Sequence, residues 1–128
     1  MNVLLDTHAF LWLITNDPAL SNHARSRIAS PDNAVYLSAV STWEIAVKHR
    51  IGRLPLPDRP DRYIARQRAL HAVDALALDE AATLHEPLLP PIHRDPFDRM
   101  LVCQALVHGM TILTADRAIQ DYPVRTEW

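Results

Sequence analysis

Short, wholly apolar runs separated by segments of helix length constrain this chain more than any other feature. Val3-Leu4-Leu5 is apolar at consecutive positions rather than alternating ones, and it stops at Asp6. A run of that kind suits a strand buried on both faces, the situation of a parallel sheet packed between helices. A helix is expected from His8 to Ile14, closed by Asn16-Asp17-Pro18, and a second from Ser21 to Ala29 with Ser21 as its cap. Ala34 to Leu37 reads as the next strand, and Ser41 to Ile51 as a helix bounded by Gly52. Asp61 to Leu70 reads as a polar helix, Ala75 to Leu78 as a third strand, and Asp79 to Leu84 as a short helix. Pro96 to His108 is a helix apolar on more than one side, and Thr111 to Thr114 is a strand leading to Asp116. A turn of helix from Ala118 and a last strand over Val124 to Thr126 complete the pattern. The proline-rich stretches Leu54 to Pro60 and Pro87 to Pro96 are connections, because proline removes backbone donors and fixes the chain. Strands alternating with helices imply β-α-β units with right-handed crossovers, hence a parallel sheet covered on both faces.

Size and charge narrow the function. A chain of 128 residues is expected to form one domain over residues 1–128 around a single core. Cys103 is the only cysteine, which excludes a disulfide framework and favours a reduced setting. No apolar run has the length to span a bilayer, and Asn2 to Asp6 opens as a strand rather than a basic leader, so a cytoplasmic, non-membrane protein is expected. The net charge of -2 argues against a general nucleic-acid coat, whose affinity comes from neutralising phosphates. It leaves a metal-dependent nuclease open, since acidic ligands lower the formal charge and bound cations restore positive potential locally. Lys48, Arg94, Arg99 and Arg117 are basic residues near the acids that could attract substrate.

Asp6, Glu44, Asp98 and Asp116 each stand where an apolar run gives way to a helix or in a helix's first turn. In an open parallel sheet such junctions share one edge, so residues remote in sequence can meet in one crevice. Carboxylates gathered there repel one another unless a cation sits among them. Hard oxygen ligands point to Mg²⁺ or Mn²⁺, and to phosphodiester chemistry. Each acid also has a structural explanation. Asp6 and Asp116 suit helix caps, Ser41 with Glu44 has the pattern of a capping box, and Glu44 precedes Lys48 by four residues as in a helix-surface ion pair. Asp95 suits the cap before Pro96, with Asp98 in the favourable first turn. Asp98 nevertheless shares its helix face with Leu101, Val102 and Ala105, where an unpartnered charge would be costly. His8 and His93 lie beside the acids and could touch substrate, but a local hydrogen-bonding role is the simpler reading. With only Gly52 and Gly109 in the chain, no glycine-rich phosphate loop exists.

Asp6-Thr7-His8-Ala9-Phe10-Leu11-Trp12, Ser38 with Ser41-Thr42-Trp43-Glu44-Ile45-Ala46-Val47-Lys48, His93-Arg94-Asp95-Pro96-Phe97-Asp98-Arg99, and Thr111-Ile112-Leu113-Thr114-Ala115-Asp116 together resemble the PIN-domain ribonucleases, especially VapC-type toxins of toxin-antitoxin pairs. The resemblance runs through essentially the whole chain. It implies a three-layer α/β/α sandwich in which Asp6, Glu44, Asp98 and Asp116 hold one or two divalent ions, Asp95 being a possible further ligand. It also implies cleavage of RNA to a 5′-phosphate and a 3′-hydroxyl, a cognate antitoxin and a homodimer. Thr7, Thr114 and Arg99 match positions that would orient water or substrate. Two other functions remain open: a metal-dependent phosphohydrolase acting on DNA or nucleotides, and a non-catalytic interaction domain whose acids only cap helices.

Overall fold

The computed structural model describes residues 1–128. Five strands, β1 (Asn2–Leu5), β2 (Ala34–Ser38), β3 (Val73–Leu76), β4 (Thr111–Leu113) and β5 (Thr126–Glu127), form one sheet in the order β3-β2-β1-β4-β5. Every pairing is parallel, and β1 lies at the centre with Val3 opposite Val35 on one side and Thr111 on the other. Seven helices cover it: α1 (Thr7–Ile14), α2 (Asn22–Ala29), α3 (Ala39–Arg50), α4 (Pro60–Leu70), α5 (Glu80–His85), α6 (Pro96–His108) and α7 (Arg117–Gln120). The expected α/β/α layering is thus present.

The consecutive apolar residues of β1 explain the layers. Successive side chains of a strand point to opposite faces, so Val3 and Leu5 enter one core while Leu4 enters the other. The first core adds Phe10, Ala24, Ile45 and Ile64 from α1 to α4. The second adds Ala82, Leu101, Val102, Ala105 and Ile119 from α5 to α7. No helix is long and apolar enough to cross a membrane.

Three boundaries differ from the sequence reading. β3 runs over Val73–Leu76 instead of Ala75 to Leu78, because α4 ends at Leu70 and Ala72 turns the chain with φ of 54°. Val73, 2% exposed, then pairs with Val35 and anchors the strand. The last strand is Thr126–Glu127, past the Val124 expected to open it. The helix placed at Ser41 begins at Ala39, with Ser38 as cap and its Oγ accepting from the Val40 N–H at 3.0 Å. Ser41 therefore caps nothing, and Glu44 is released from the capping box to point inward.

The chain reverses direction across the sheet at β1: β2 lies on one side and β4 on the other. This topological switch point opens a crevice beyond the carboxyl ends of β1 and β4. Asp6 follows β1 directly, and Asp116 lies shortly after β4.

Candidate metal centre

Asp6 is buried at the end of β1, 5% exposed. Its Oδ1 accepts from the Ala9 N–H at 2.7 Å, capping α1, and its Oδ2 accepts from the Thr114 hydroxyl at 2.5 Å. Thr114 Oγ1 also accepts from the Asp116 N–H at 3.0 Å, so one buried hydroxyl ties the end of β1 to the turn after β4. Burial raises the carboxyl pKa of Asp6, against the lowering effect of these hydrogen bonds. Nearby Asp116 adds a further upward push.

Glu44, 3% exposed, comes from the second turn of α3. The Thr7 hydroxyl donates to its Oε1 at 2.7 Å and stands 3.0 Å from Ser41 Oγ. Lys48, one turn on, donates to Oε2 at 2.5 Å, so the surface ion pair anticipated from their spacing is formed with its acid inside. Glu44 holds the Lys48 ammonium charged, above the usual range, and Asp95 and Asp98 act in the same direction.

Asp98 and Asp116 are joined by His93. The imidazole Nε2 lies 3.1 Å from Asp98 Oδ2 and 3.0 Å from Asp116 Oδ2. Nδ1 accepts the Asp95 N–H at 3.1 Å, which places the ring proton on Nε2, facing both carboxylates. The ring nitrogen and one oxygen of each carboxylate lie within 4.8 Å of one another, so the two oxygens are close enough for one ion to join them in the place that the imidazole N–H takes here. Burial is the largest cause pushing the Asp98 carboxyl up to about 7, followed by repulsion from Asp95 and Glu44, with His93 opposing and Asp6 reinforcing. The acids are therefore close enough to feel one another across four separate segments of chain.

Asp95 and Asp98 play different parts. Asp95 Oδ1 accepts from the Phe97 N–H at 2.9 Å and caps α6, whereas Asp98 caps nothing and faces His93. Asp116 Oδ1 caps α7 through the Ala118 N–H at 2.8 Å, leaving Oδ2 for the crevice. Thr7 and Thr114 orient the acids themselves. Arg99 requires correction: its guanidinium is spent on Glu86 Oε1 at 2.7 Å, the Glu86 and Pro90 carbonyls, and the Tyr122 hydroxyl at 3.0 Å. It braces the segment before α6 and does not face the crevice. Arg94 and Arg117 are exposed.

His93 is the local hydrogen-bonding group expected, and it joins two of the acids rather than one. It sits in a proline-rich connection with no second histidine at ligand spacing, so sequence gives no signal of its bridging position. The tie is spatial, through the Tyr122 hydroxyl that accepts the His93 N–H at 2.8 Å.

The donor set fits a hard divalent ion. Five carboxyls (Asp6, Glu44, Asp95, Asp98 and Asp116) gather here, and the Lys48 ammonium is the one cationic group bonded to any of them, while the His93 imidazole contributes hydrogen-bond contacts to Asp98 and Asp116. Burial first, and then the neighbouring acids Asp95, Glu44 and Asp6, push the Asp98 carboxyl up to about 7, and a hard cation would relieve the repulsion among these carboxyls.

A parallel sheet with this switch-point acid cluster defines a class, and the PIN domain family model matches residues 3–124. The chain belongs to the PIN domain family. It is 34% identical over 64 residues to ribonuclease VapC16 of Mycobacterium tuberculosis, a stretch covering 50% of this chain and 45% of that protein. The chain thus spans about half the length of this curated relative. One chain of the crystal structure of VapBC2 from Rickettsia felis bound to a promoter DNA fragment superposes with a TM-score of 0.75 at 13% identity, covering 99% of this chain and 98% of that one. A chain of DNA-bound VapBC from Salmonella typhimurium gives 0.70 at 21% identity, over 99% and 97%. These likenesses are to the fold.

Proposed function

We propose that this protein is an endoribonuclease dependent on Mg²⁺ or Mn²⁺, acting in the cytoplasm as the toxin of a toxin-antitoxin pair, with residues 1–128 working as one domain. The observation that carries the reading is the meeting of Asp98, His93 and Asp116 at the switch point, beside buried Asp6 and Glu44. Asp6, Glu44, Asp98 and Asp116 are the residues that would hold the ion, with Asp95 retained as a cap. A bound ion of this kind would supply a water activated as nucleophile and would stabilise charge developing on the phosphate oxygens. Thr114 and Thr7 hold Asp6 and Glu44 in fixed orientations, and His93 keeps the Asp98 and Asp116 oxygens together. Such preorganisation avoids reordering the site during reaction.

Helix capping alone accounts for Asp6, Asp95 and Asp116, but not for Glu44 or Asp98, which cap nothing and lie in costly positions. The similarity to ribonuclease VapC16 and to chains of VapBC assemblies supports RNA as substrate and an antitoxin as partner. A homodimer is proposed alongside. Trp43, 62% exposed, and Leu78, 42% exposed, flank an apolar hollow of about 180 Å³ with Pro96, Phe97 and Met100, a surface that suits a second protein.

The test is cleavage of defined RNA, DNA and nucleotides by purified protein with Mn²⁺ and with a chelator. RNA should be cut only with the ion present, and Asp98→Asn should lose at least about a hundredfold in rate, the scale of a removed electrostatic stabiliser. Chelator-resistant cleavage, or cleavage of nucleotides in preference to RNA, would overturn the reading.

A further inference from the structure

The acid cluster opens on one side into a cavity of about 280 Å³ lined by Asp6, His8, Trp12, Ala115 and Asp116. Two of these residues have no part in holding the acids. His8 and Trp12 are four apart on α1, so they share one helix face, directly after the Asp6 cap. Their ring centroids are 5.7 Å apart with planes tilted by 38°. Trp12 in turn meets Trp128 edge-on, also at 5.7 Å with a 62° angle, and packs its inner side against the first core. His8 is exposed and Trp12 half-buried. An aromatic row therefore leads away from the carboxylates, braced from behind by Trp128.

We infer that His8 and Trp12 form the stacking platform for an unpaired nucleobase adjoining the phosphodiester that is cut. The inference rests on the ribonuclease reading and names how the substrate is held. On a chain of net charge -2, phosphate contacts away from the ion add little affinity, so a further contact to the base strengthens the hold on the strand. Base-aromatic stacking supplies it without sequence preference, because every base has a flat face. The cavity wall contains Asp6 and Asp116 themselves, so an occupant lying on the rings is placed next to the reacting phosphate. That continuity, and a volume suited to one planar group, favour a base over a segment of a protein partner.

The test is a double-mutant cycle between protein and substrate. Steady-state cleavage of a short single-stranded RNA with Mn²⁺ is measured on the intact strand and on strands with one abasic nucleotide on either side of the cut. Wild type and Trp12→Leu are compared, with Trp12→Phe as the conservative control and thermal melting as the check on folding. One abasic position should raise KM by about tenfold for wild type, the scale of one stacked base, with a smaller change in kcat. Trp12→Leu should raise KM similarly on intact RNA and show no further penalty at that abasic position, while Trp12→Phe restores the difference. If Trp12→Leu fails to fold, His8→Ala carries the same cycle with the same expected coupling. Equal abasic penalties in wild type and variant overturn the inference while leaving the ribonuclease reading intact. Unchanged KM together with lost binding of a protein inhibitor assigns the row to that partner and also overturns it. Wild-type protein that cuts no RNA removes both.

Discussion

Asp98 shows how an acid can be tolerated in a place that does not suit it. It lies beside Leu101 and Val102, both fully buried, with Asp95, Glu44 and Asp6 all acting against its charge. Its folded carboxyl stands at about 7 where an unfolded one titrates near 3.8. The folded chain therefore binds this proton more tightly, and the favourable contribution is complete below pH 3.8 and lost as pH rises through about 7. Without metal, stability should fall across that window by about 2 kcal/mol from this group after allowance for solvent screening, and level off above it. Asp6, also raised by burial, acts in the same direction. Thermal melting in chelator from pH 5 to 8 checks this, and Asp98→Asn should flatten the profile. A second comparison separates neighbours: Asp95→Asn keeps the α6 cap and should retain most cleavage, whereas Asp98→Asn should abolish it. Much of this was legible in the sequence, since Asp6 and Asp98 each break an apolar pattern. Glu44 was expected in a helix's first turn, with a capping box as its structural explanation; it lies in the second turn of α3. Its capping-box pattern is real as sequence, but Ser38 begins α3 three residues earlier and turns Glu44 toward Thr7.

Elements hold these residues in place through a few buried polar ties. Ser38 is at once the end of β2 and the cap of α3, and its hydroxyl donates to Gln104 of α6, whose amide donates to the Ala77 carbonyl at 3.2 Å. Both side chains are fully buried, and this tie fixes α3 against α6, the helices that carry Glu44 and Asp98. Ser38→Ala should cost about 1 kcal/mol for the cap and about 1–3 kcal/mol more for an unpaired Gln104 oxygen, read by denaturant unfolding. Arg99→Ala should loosen the segment from Glu86 to His93, since the Arg99 guanidinium and the His93 N–H meet on the same Tyr122 hydroxyl. Hydrogen exchange at His93 and Asp95 should speed up, and cleavage should fall through lost positioning rather than lost substrate contact. In sequence Gln104 is only a polar residue among the apolar positions of α6. Its partner 66 residues away is a long-range fact that periodicity along one helix does not encode. The same limit explains β3, where Val73 pairs with Val35 although the Ala75 to Leu78 run looked equally strand-like.

At the scale of the molecule, a five-stranded parallel sheet brings residues 6, 44, 93, 98 and 116 to one edge because its order reverses at β1. The alternation of apolar runs with helices was enough to anticipate that sheet, and the apolar run Val3-Leu4-Leu5 suited the strand found buried on both faces. The crevice concentrates negative charge that the fold itself does not neutralise, so ion binding and stability are linked. Saturating Mn²⁺ at about a hundred times its dissociation constant should stabilise the protein by about 2.7 kcal/mol, seen as a rise of several degrees in melting temperature. The most direct measurement is calorimetric titration of Mn²⁺ into wild type, Asp6→Asn and Asp98→Asn, each first shown to be folded. Saturable binding by wild type, weakened at least about tenfold by either substitution, is the predicted result for carboxylates that share one ion. Equal affinity in all of them, or no binding by the wild type, would contradict it.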